Sequence, residues 1–219
     1  MPAMPARPAR SGRPAVPAGT PSRARTRSRD VQQNLLDAAE DVLAREGLAG
    51  VTIRAVAAEA EVAPMGVYNR FGSKEGLIAA LVMRSFDLLR EAVEVPDEPD
   101  PLQRLRRSGQ RYREFALSHP QHYTLIFLSS AGHGIAEGHP EVEEHAQAAF
   151  EALVGHVVYA MRSGVVPEGD AFDLAQQIWS TVHGAVALEL FGMVLTEDPA
   201  TTYEHLLDLL LAGVTRSPA

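Results

Sequence analysis

The sequence contains no cysteine among its 219 residues. This absence excludes disulfide bonds, a zinc site built from thiolates and a cysteine nucleophile, and it fits a reducing compartment. Long apolar runs are also missing. The most apolar stretch, residues 174–188, includes Gln176, Gln177 and His183, which favours a buried helix over a membrane span. The N-terminus has arginines but no apolar core of a signal peptide. We therefore expect a cytoplasmic protein without a membrane partner.

Motifs of the common enzyme classes are missing too. There is no Gly-x-Ser-x-Gly elbow, no loop that would cradle phosphates and no isolated pair of carboxylates in an apolar setting. His133, His139 and His145 lie near several glutamates, but their spacing matches no zinc motif. The acidic residues that follow Pro140 suit the first turn of a helix. We expect no enzymatic activity, no metal and no cofactor.

The charge of the chain is unevenly distributed. The net charge is −8, to which residues 1–22 contribute +3, residues 23–75 contribute zero and the remainder contributes −11. A neutral segment can still bind DNA if its basic side chains face the DNA while Asp37, Glu40, Asp41 and Glu46 face away. Repulsion from the acidic remainder would then orient the protein on DNA rather than prevent binding.

Residues 52–74 predict two short helices that meet at a tight corner. The first helix has an apolar stripe at helical spacing, formed by Ile53, Val56, Ala57 and Ala60. Thr52 suits its N-cap, and Pro64 suits the first turn of the second helix. Gly72 can end that helix, and Ser73 can cap the next one. This arrangement is used to lay a helix in the major groove of DNA, but it also occurs as a plain corner in many helical proteins.

The rest of the chain predicts an all-α fold. No stretch shows convincing strand alternation, and the apolar periodicity places nine helices at about residues 29–46, 53–60, 64–70, 74–93, 101–118, 120–128, 140–163, 170–196 and 199–214. Residues 1–28 are rich in Arg, Pro and Ala and are expected to form a disordered tail. We predict a DNA-binding domain at 29–75 and a larger helical domain at 76–219. The fourth helix is apolar over more than half of its surface and should contact both domains.

A family resemblance is carried by residues 62–74, followed by Glu75, Leu77 and Leu81. They closely resemble the recognition-helix signature of the TetR/AcrR family of bacterial repressors, in which a small-residue turn leads to a Tyr, a polar residue, an aromatic residue and a Ser-Lys-Glu that opens the next helix. Residues 35–52 are similar to the first helix and loop of the same family. The resemblance implies a helix-turn-helix domain that binds double-stranded DNA.

Side-chain chemistry selects the candidates for DNA contact, which are Thr52, Arg54, Met65, Gly66, Tyr68, Asn69 and Lys74. Arg54 and Lys74 can neutralise phosphates, and Thr52 and Tyr68 can donate hydrogen bonds to them. In the family pattern the Tyr and the Lys are typical phosphate contacts, and they match Tyr68 and Lys74. Asn69 can read adenine, although its position varies in that pattern.

Size and polarity suggest roles for four residues of the second helix of the corner. Met65 and Val67 are predicted to touch thymine methyl groups, and Gly66 to let the backbone approach the DNA closely. Phe71 is predicted to be a core residue. The four arginines spaced by two at residues 23–29 leave two readings open, since they can form a solvated tail or enter the minor groove beside the main site.

The C-terminal part resembles a subgroup of the family with a Trp, His-Gly signature, through residues 179–184, Glu189 and residues 111–117. We expect a small-molecule effector there, in an apolar cavity with a few polar groups. The candidate ligand-binding residues are Tyr112, Phe115, His122, Tyr123, Phe127, Phe150, Trp179 and His183, and Met161 is expected on the same wall. The alternative is that Trp179 and His183 are core residues that hold the eighth helix in place.

The last two helices offer more apolar surface than one chain needs. The eighth has no charged residue between Asp173 and Glu189, which predicts that both of its sides are buried. A two-fold dimer that pairs the last two helices in a four-helix bundle would bury the excess surface, as the resemblance also implies. We therefore predict a homodimeric, ligand-responsive repressor that binds a palindromic operator and is released by a small, largely apolar effector. A DNA-binding protein without an effector and a ligand-binding activator remain the alternatives.

Overall fold

The computed structural model describes residues 23–128 and 138–215, with side chains from residue 30 onward. Within these ranges it contains nine helices and no strand, which confirms the predicted all-α fold. They are α1 (Arg23–Gly50), α2 (Ile53–Glu59), α3 (Pro64–Phe71), α4 (Lys74–Val93), α5 (Pro101–Ser118), α6 (Pro120–Tyr123, continued by a π-helical turn at Thr124–Leu128), α7 (Pro140–Arg162), α8 (Ala171–Leu190) and α9 (Pro199–Val214). No helix in the described ranges is long and apolar enough to cross a membrane.

The first helix begins earlier than predicted. It starts at Arg23, so residues 23–28 are helical and not part of a disordered tail. The segment from Arg23 to Glu46 contains no Pro or Gly, the residues that disfavour a helix interior most, whereas Pro21 precedes it. At its other end Gly47 interrupts the helix with a φ of 68°, as predicted. Residues 1–22 lie outside the described ranges.

Local hydrogen bonds form the corner between α2 and α4 as predicted. The Thr52 hydroxyl oxygen accepts a hydrogen bond from the Ala55 backbone N–H (3.1 Å), and Pro64 occupies the first turn of α3. Gly72 ends α3 with a φ of 74°, a conformation that glycine adopts without strain. Ser73 then caps α4 by accepting from the Gly76 N–H (3.1 Å). These local interactions fix where α2 begins, where α3 begins and ends, and where α4 begins.

Helix α4 joins the N-terminal helices to the rest of the chain. Leu77 and Leu81 are fully buried near its start, and Leu89 and Val93 are buried near its end. One continuous apolar core runs from Leu35 of α1 through α4 to Leu207 of α9. Each buried leucine contributes roughly 1.5–3 kcal/mol to folding. The two halves of the chain are therefore mechanically connected through α4.

The C-terminal helices depart from the prediction at the end of α8. This helix stops at Leu190, six residues before the predicted end at Thr196, because Gly192 adopts a φ of 66°. The predicted burial of both sides of α8 is also wrong for a single chain, since Ser180, Gly184 and Leu188 are exposed on its outer face. Its inner face is joined to α5 by the Arg113–Glu189 ion pair, with N–O distances of 2.5 and 2.7 Å.

Candidate functional site

Helix α3 presents one face to the core and one to solvent. Met65 and Tyr68 are 64% and 47% exposed, and Gly66 and Asn69 are exposed beside them. Val67 is fully buried, so the predicted contact of Val67 with thymine methyl groups is wrong. With 3.6 residues per turn, residues 65, 68 and 69 share one side of the helix while residue 67 turns inward. Phe71 packs against the core, as predicted.

The starts of α2 and α4 carry the other three candidates. Thr52 uses a lone pair to cap α2, so its hydroxyl hydrogen stays available to donate to a phosphate. Arg54 and Lys74 are exposed and make no ion pair with any described residue. Lys74 is the first residue of α4, directly after the cap Ser73. All seven predicted DNA contacts thus lie on the corner formed by α2, α3 and the start of α4.

Acidic side chains of the N-terminal helices are occupied by basic partners elsewhere. Arg84 lies 2.7 Å from Asp37 and 2.8 Å from Glu40. Arg45 lies 3.1 Å from Glu46, and it also lies 2.8 Å from Glu59 of α2. Among the residues with described side chains, these ion pairs engage four carboxylates, whereas Arg54 and Lys74 at the corner are in no ion pair. Three of the four acidic residues that were expected to face away from DNA, Asp37, Glu40 and Glu46, are held in these ion pairs, and the separation of charges on the surface stays a prediction.

Gly66 has no intramolecular reason to be a glycine. A Cβ atom added there would meet only Val62, at 3.8 and 3.9 Å, which is ordinary van der Waals contact. Glycine nevertheless costs a helix stability relative to alanine. The fold itself therefore sets no limit on the size of the residue at position 66.

A cavity of about 470 Å³ occupies the C-terminal part. Its described walls come from α4, α5, the π-helical turn, α7, α8 and α9, and they are mainly apolar. Four predicted ligand-binding residues line it, namely Tyr112, Phe127, Phe150 and Trp179. Polar groups on the wall are few and include Ser108, which is buried and makes no hydrogen bond within the described residues. Volume and lining suit a small, largely apolar molecule.

The other predicted wall residues, Phe115, His122, Tyr123, His183 and Met161, are not found on the described wall, which corrects that part of the prediction. Nδ1 of His183 lies 2.8 Å from the hydroxyl oxygens of both Tyr112 and Tyr123. Burial lowers the pKa of His183, which favours a neutral ring. Trp179 donates from Nε1 to the Tyr112 hydroxyl oxygen (3.3 Å). His183 therefore holds the Tyr112 hydroxyl at the wall without lining the cavity.

His122 points instead towards the N-terminal helices. Ser85 donates its hydroxyl hydrogen to the Leu81 carbonyl oxygen (2.7 Å), so its oxygen accepts from His122 Nδ1 (2.8 Å). His122 Nε2 faces Glu40 of α1 at 4.0 Å. Burial, with smaller contributions from His119 and Arg84, lowers the pKa of His122 to about 4. Sequence reasoning missed this link, although the Arg84–Ser85 pair interrupts the apolar pattern of α4 and was a usable signal.

Two protein-family models match the chain, one in its N-terminal part and one in its C-terminal part. The family model "Bacterial regulatory proteins, tetR family" matches residues 35–81, and the model "Tetracyclin repressor-like, C-terminal domain" matches residues 105–210. The chain belongs to the TetR family of transcriptional regulators. The second match spans both segments that carried the subgroup resemblance.

Relatives of this TetR-family regulator agree with the assignment. An HTH-type transcriptional repressor of Streptomyces coelicolor is 30% identical over 61% of this chain and 66% of its own length. An uncharacterised HTH-type transcriptional regulator of Mycobacterium tuberculosis is 26% identical over 84% of this chain and 82% of its own. A solved structure from Rhodococcus sp. RHA1 is 25% identical, with a TM-score of 0.74 over 85% of this chain and 96% of that one. The two family models and the two HTH-type relatives point to transcriptional regulators.

Among the described residues no group of three or more acidic, histidine or cysteine side chains could hold a metal ion. His145 Nδ1 contacts the Asp87 carboxylate at 2.8 Å, and His139 contacts Glu141 at 3.1 Å. These histidines are engaged in separate pairs. His133 lies outside the described ranges.

Proposed function

We propose that the protein is a homodimeric transcriptional repressor that binds a palindromic operator and is released by a small, largely apolar effector. Residues 29–75 would form the DNA-binding unit and residues 76–219 the unit for the effector and for dimerisation. The chromosomal target implies action in the cytoplasm. The observation that carries the proposal is the course of α4: it begins at Lys74 on the DNA face, and Phe86, Leu89 and Val93 near its end line the cavity.

Dimerisation is supported by apolar side chains that the single chain leaves exposed on α8, α9 and the loop between them. Leu209 of α9 is 74% exposed, and Leu188, Phe191 and Met193 are between 48% and 62% exposed. Contiguous exposed apolar surface marks an interaction site in a folded protein. Pairing of these two helices with their copies would bury that surface in a four-helix bundle. Two recognition helices would then read half-sites about 34–36 Å apart.

Release follows from the shared helix. A ligand that enlarges the cavity displaces the C-terminal half of α4, and the continuous core transmits the displacement to Lys74 and α3. Lys74 and Phe86 are twelve residues apart, or roughly 18 Å along the helix. A ligand that prefers the altered separation of recognition helices by a few kcal/mol would shift most of the population away from the operator-binding form.

The test is selection of bound DNA from a random library with the purified full chain. We expect an inverted repeat, and we expect the complex with one duplex to have the mass of two chains. Selection of a single, unrepeated half-site by one chain would contradict the dimeric repressor. Release can be measured with the selected duplex. An apolar ligand that fills the cavity without weakening DNA binding would show that the cavity does not control the operator.

A further inference from the structure

Two of the described residues on the cavity wall carry a charge, and they differ in whether that charge is paired. Arg106 contacts Glu204 at 3.1 Å and also contacts Asp208, so its guanidinium is shared between two carboxylates. Gln110 donates to the same Glu204 (2.9 Å), which further fixes the group. The wall therefore offers an anionic ligand no uncompensated positive charge.

Glu143 is the second charged residue on the wall. It makes no ion pair or hydrogen bond with any described residue, and it is exposed. It lies on the same stripe of α7 as Ala146 and Phe150, both of which line the cavity. Glu143 and Phe150 are seven residues apart, or roughly 10 Å along the helix. An unpaired carboxylate thus stands at the rim, about two turns from the aromatic side chains.

The wall next to this carboxylate is aromatic. The rings of Phe150 and Phe172 are 4.9 Å apart, and those of Phe150 and Trp179 are 6.0 Å apart. Phe127 extends the wall inward, 5.9 Å from Trp179. Aromatic faces carry partial negative charge and attract cations, most strongly at tryptophan.

We propose that the cavity selects lipophilic organic cations, with Glu143 as the residue that distinguishes the sign of the ligand's charge. This assignment rests on the proposed role of the cavity as the effector site. A molecule with one positive charge on a bulky apolar body would place its charge near Glu143 and the aromatic faces. A carboxylate ligand would be desolvated without gaining a basic partner, since Arg106 is already occupied.

The probes are tetraphenylphosphonium and tetraphenylborate, two ions of nearly the same shape and opposite charge. Trp179 is the only tryptophan of the chain and lies on the wall, so its fluorescence reports occupancy. We expect tetraphenylphosphonium to bind the full-length dimer at least tenfold more tightly than tetraphenylborate. Equal or tighter binding of the borate would overturn the assignment, and so would the absence of a fluorescence response to both ions.

Matched variants separate a local charge from the overall acidity of the protein. Glu143→Gln should weaken phosphonium binding by about tenfold, equivalent to about 1.4 kcal/mol. Glu144→Gln removes the same charge from the next residue, which is exposed but is not found on the wall, and should change the affinity less than twofold. Equal losses in both variants, or no loss in Glu143→Gln, would overturn the role of Glu143.

Operator binding distinguishes failure of this inference from failure of the proposed function. If tetraphenylborate binds better and releases the operator, the proposed repressor function is supported, and the proposal that the cavity selects cations is wrong. If tetraphenylphosphonium binds with the expected dependence on Glu143 but leaves operator binding unchanged, the cavity is a cation site, but it does not control release of the operator.

Discussion

His122 Nδ1 lies 2.8 Å from Ser85 Oγ, which joins α6 to α4 through a buried hydrogen bond. Ser85 directly precedes Phe86 of the cavity wall, and His122 faces Glu40 of α1 across 4.0 Å. The Ser85–His122 hydrogen bond therefore lies where the cavity wall, α4 and the N-terminal helices meet. Because Ser85 donates to the Leu81 carbonyl oxygen, this contact requires a proton on His122 Nδ1. Burial lowers the pKa of His122, which favours the neutral ring.

Acid should destabilise the protein through His122. Its pKa is lowered to about 4 in the folded chain, whereas an unfolded histidine titrates near 6.5. The unfolded state therefore binds more protons between these values, and this contribution is complete above pH ~6.5 and is lost as the pH falls towards ~4. It amounts to about 3 kcal/mol as an order of magnitude. Urea unfolding at pH ~7.5 and ~5 should show the loss.

The comparison needs a variant that keeps a hydrogen-bond donor without titrating. In His122→Asn the decrease in stability between the two pH values should be smaller by about 2 kcal/mol. The exposed His205 of α9 supplies the control, since His205→Asn should show the wild-type decrease. An identical pH dependence in His122→Asn and wild type would contradict the assigned role of His122.

Lys74 should contribute a phosphate contact in each half-site. Lys74→Ala is expected to weaken operator binding at moderate salt for all sequences alike and to reduce the slope of log K against log salt by about 1 per half-site. Arg162→Ala removes one exposed basic side chain at the end of α7, far along the chain from the corner, and should leave the slope unchanged. A wild-type slope in Lys74→Ala would show that Lys74 makes no phosphate contact in the operator complex.

Gly66→Ala should separate stability from DNA binding. The added methyl group meets only Val62 at an ordinary distance, so the helix should gain about 0.5–1 kcal/mol of stability. In the proposed complex the same group would lie between α3 and the DNA backbone, so it should weaken operator binding severalfold or more. Gly155→Ala on α7, where an added Cβ meets no atom within 4 Å, is the matched control and should bind the operator normally. Normal operator binding by Gly66→Ala would argue against close approach at this residue.

Leu209 tests the proposed dimer. Leu209→Glu places a charge on the exposed face of α9 and should convert the protein to monomers in sedimentation or light scattering, with loss of operator binding. Its folding should be preserved, because this side chain is 74% exposed in the single chain. Leu117→Glu, at an exposed leucine near the end of α5, should leave the dimer intact. A dimeric Leu209→Glu variant would place the interface elsewhere.

Much of the corner could be predicted from local sequence. Thr52, Pro64, Gly72 and Ser73 each act within one helical turn, through a cap, a fixed φ or a positive φ, so distant residues have little influence on them. Val67 was misassigned because the second helix is too short for its periodicity to show which face turns inward. Arg23 was misassigned because composition alone was used to end the tail.

The cavity was predictable only in part. Tyr112 and Trp179 were placed on its wall from the sequence, but His122 and His183 were placed there as well. Which way a helix turns depends on all the helices that pack against it, and no local pattern contains that information. The unpaired state of Glu143 and the paired state of Arg106 depend on contacts with other helices or on their absence.

The sequence by itself determined the helical fold, the corner from Thr52 to Lys74 and the family, because caps, turns and periodicity act over a few residues. The tertiary structure alone decided that His122 faces Ser85 and that Arg106 is paired with Glu204. It also decided which side chains border the cavity. These features arise from contacts between residues far apart in the chain, whose geometry exists only after the helices have packed.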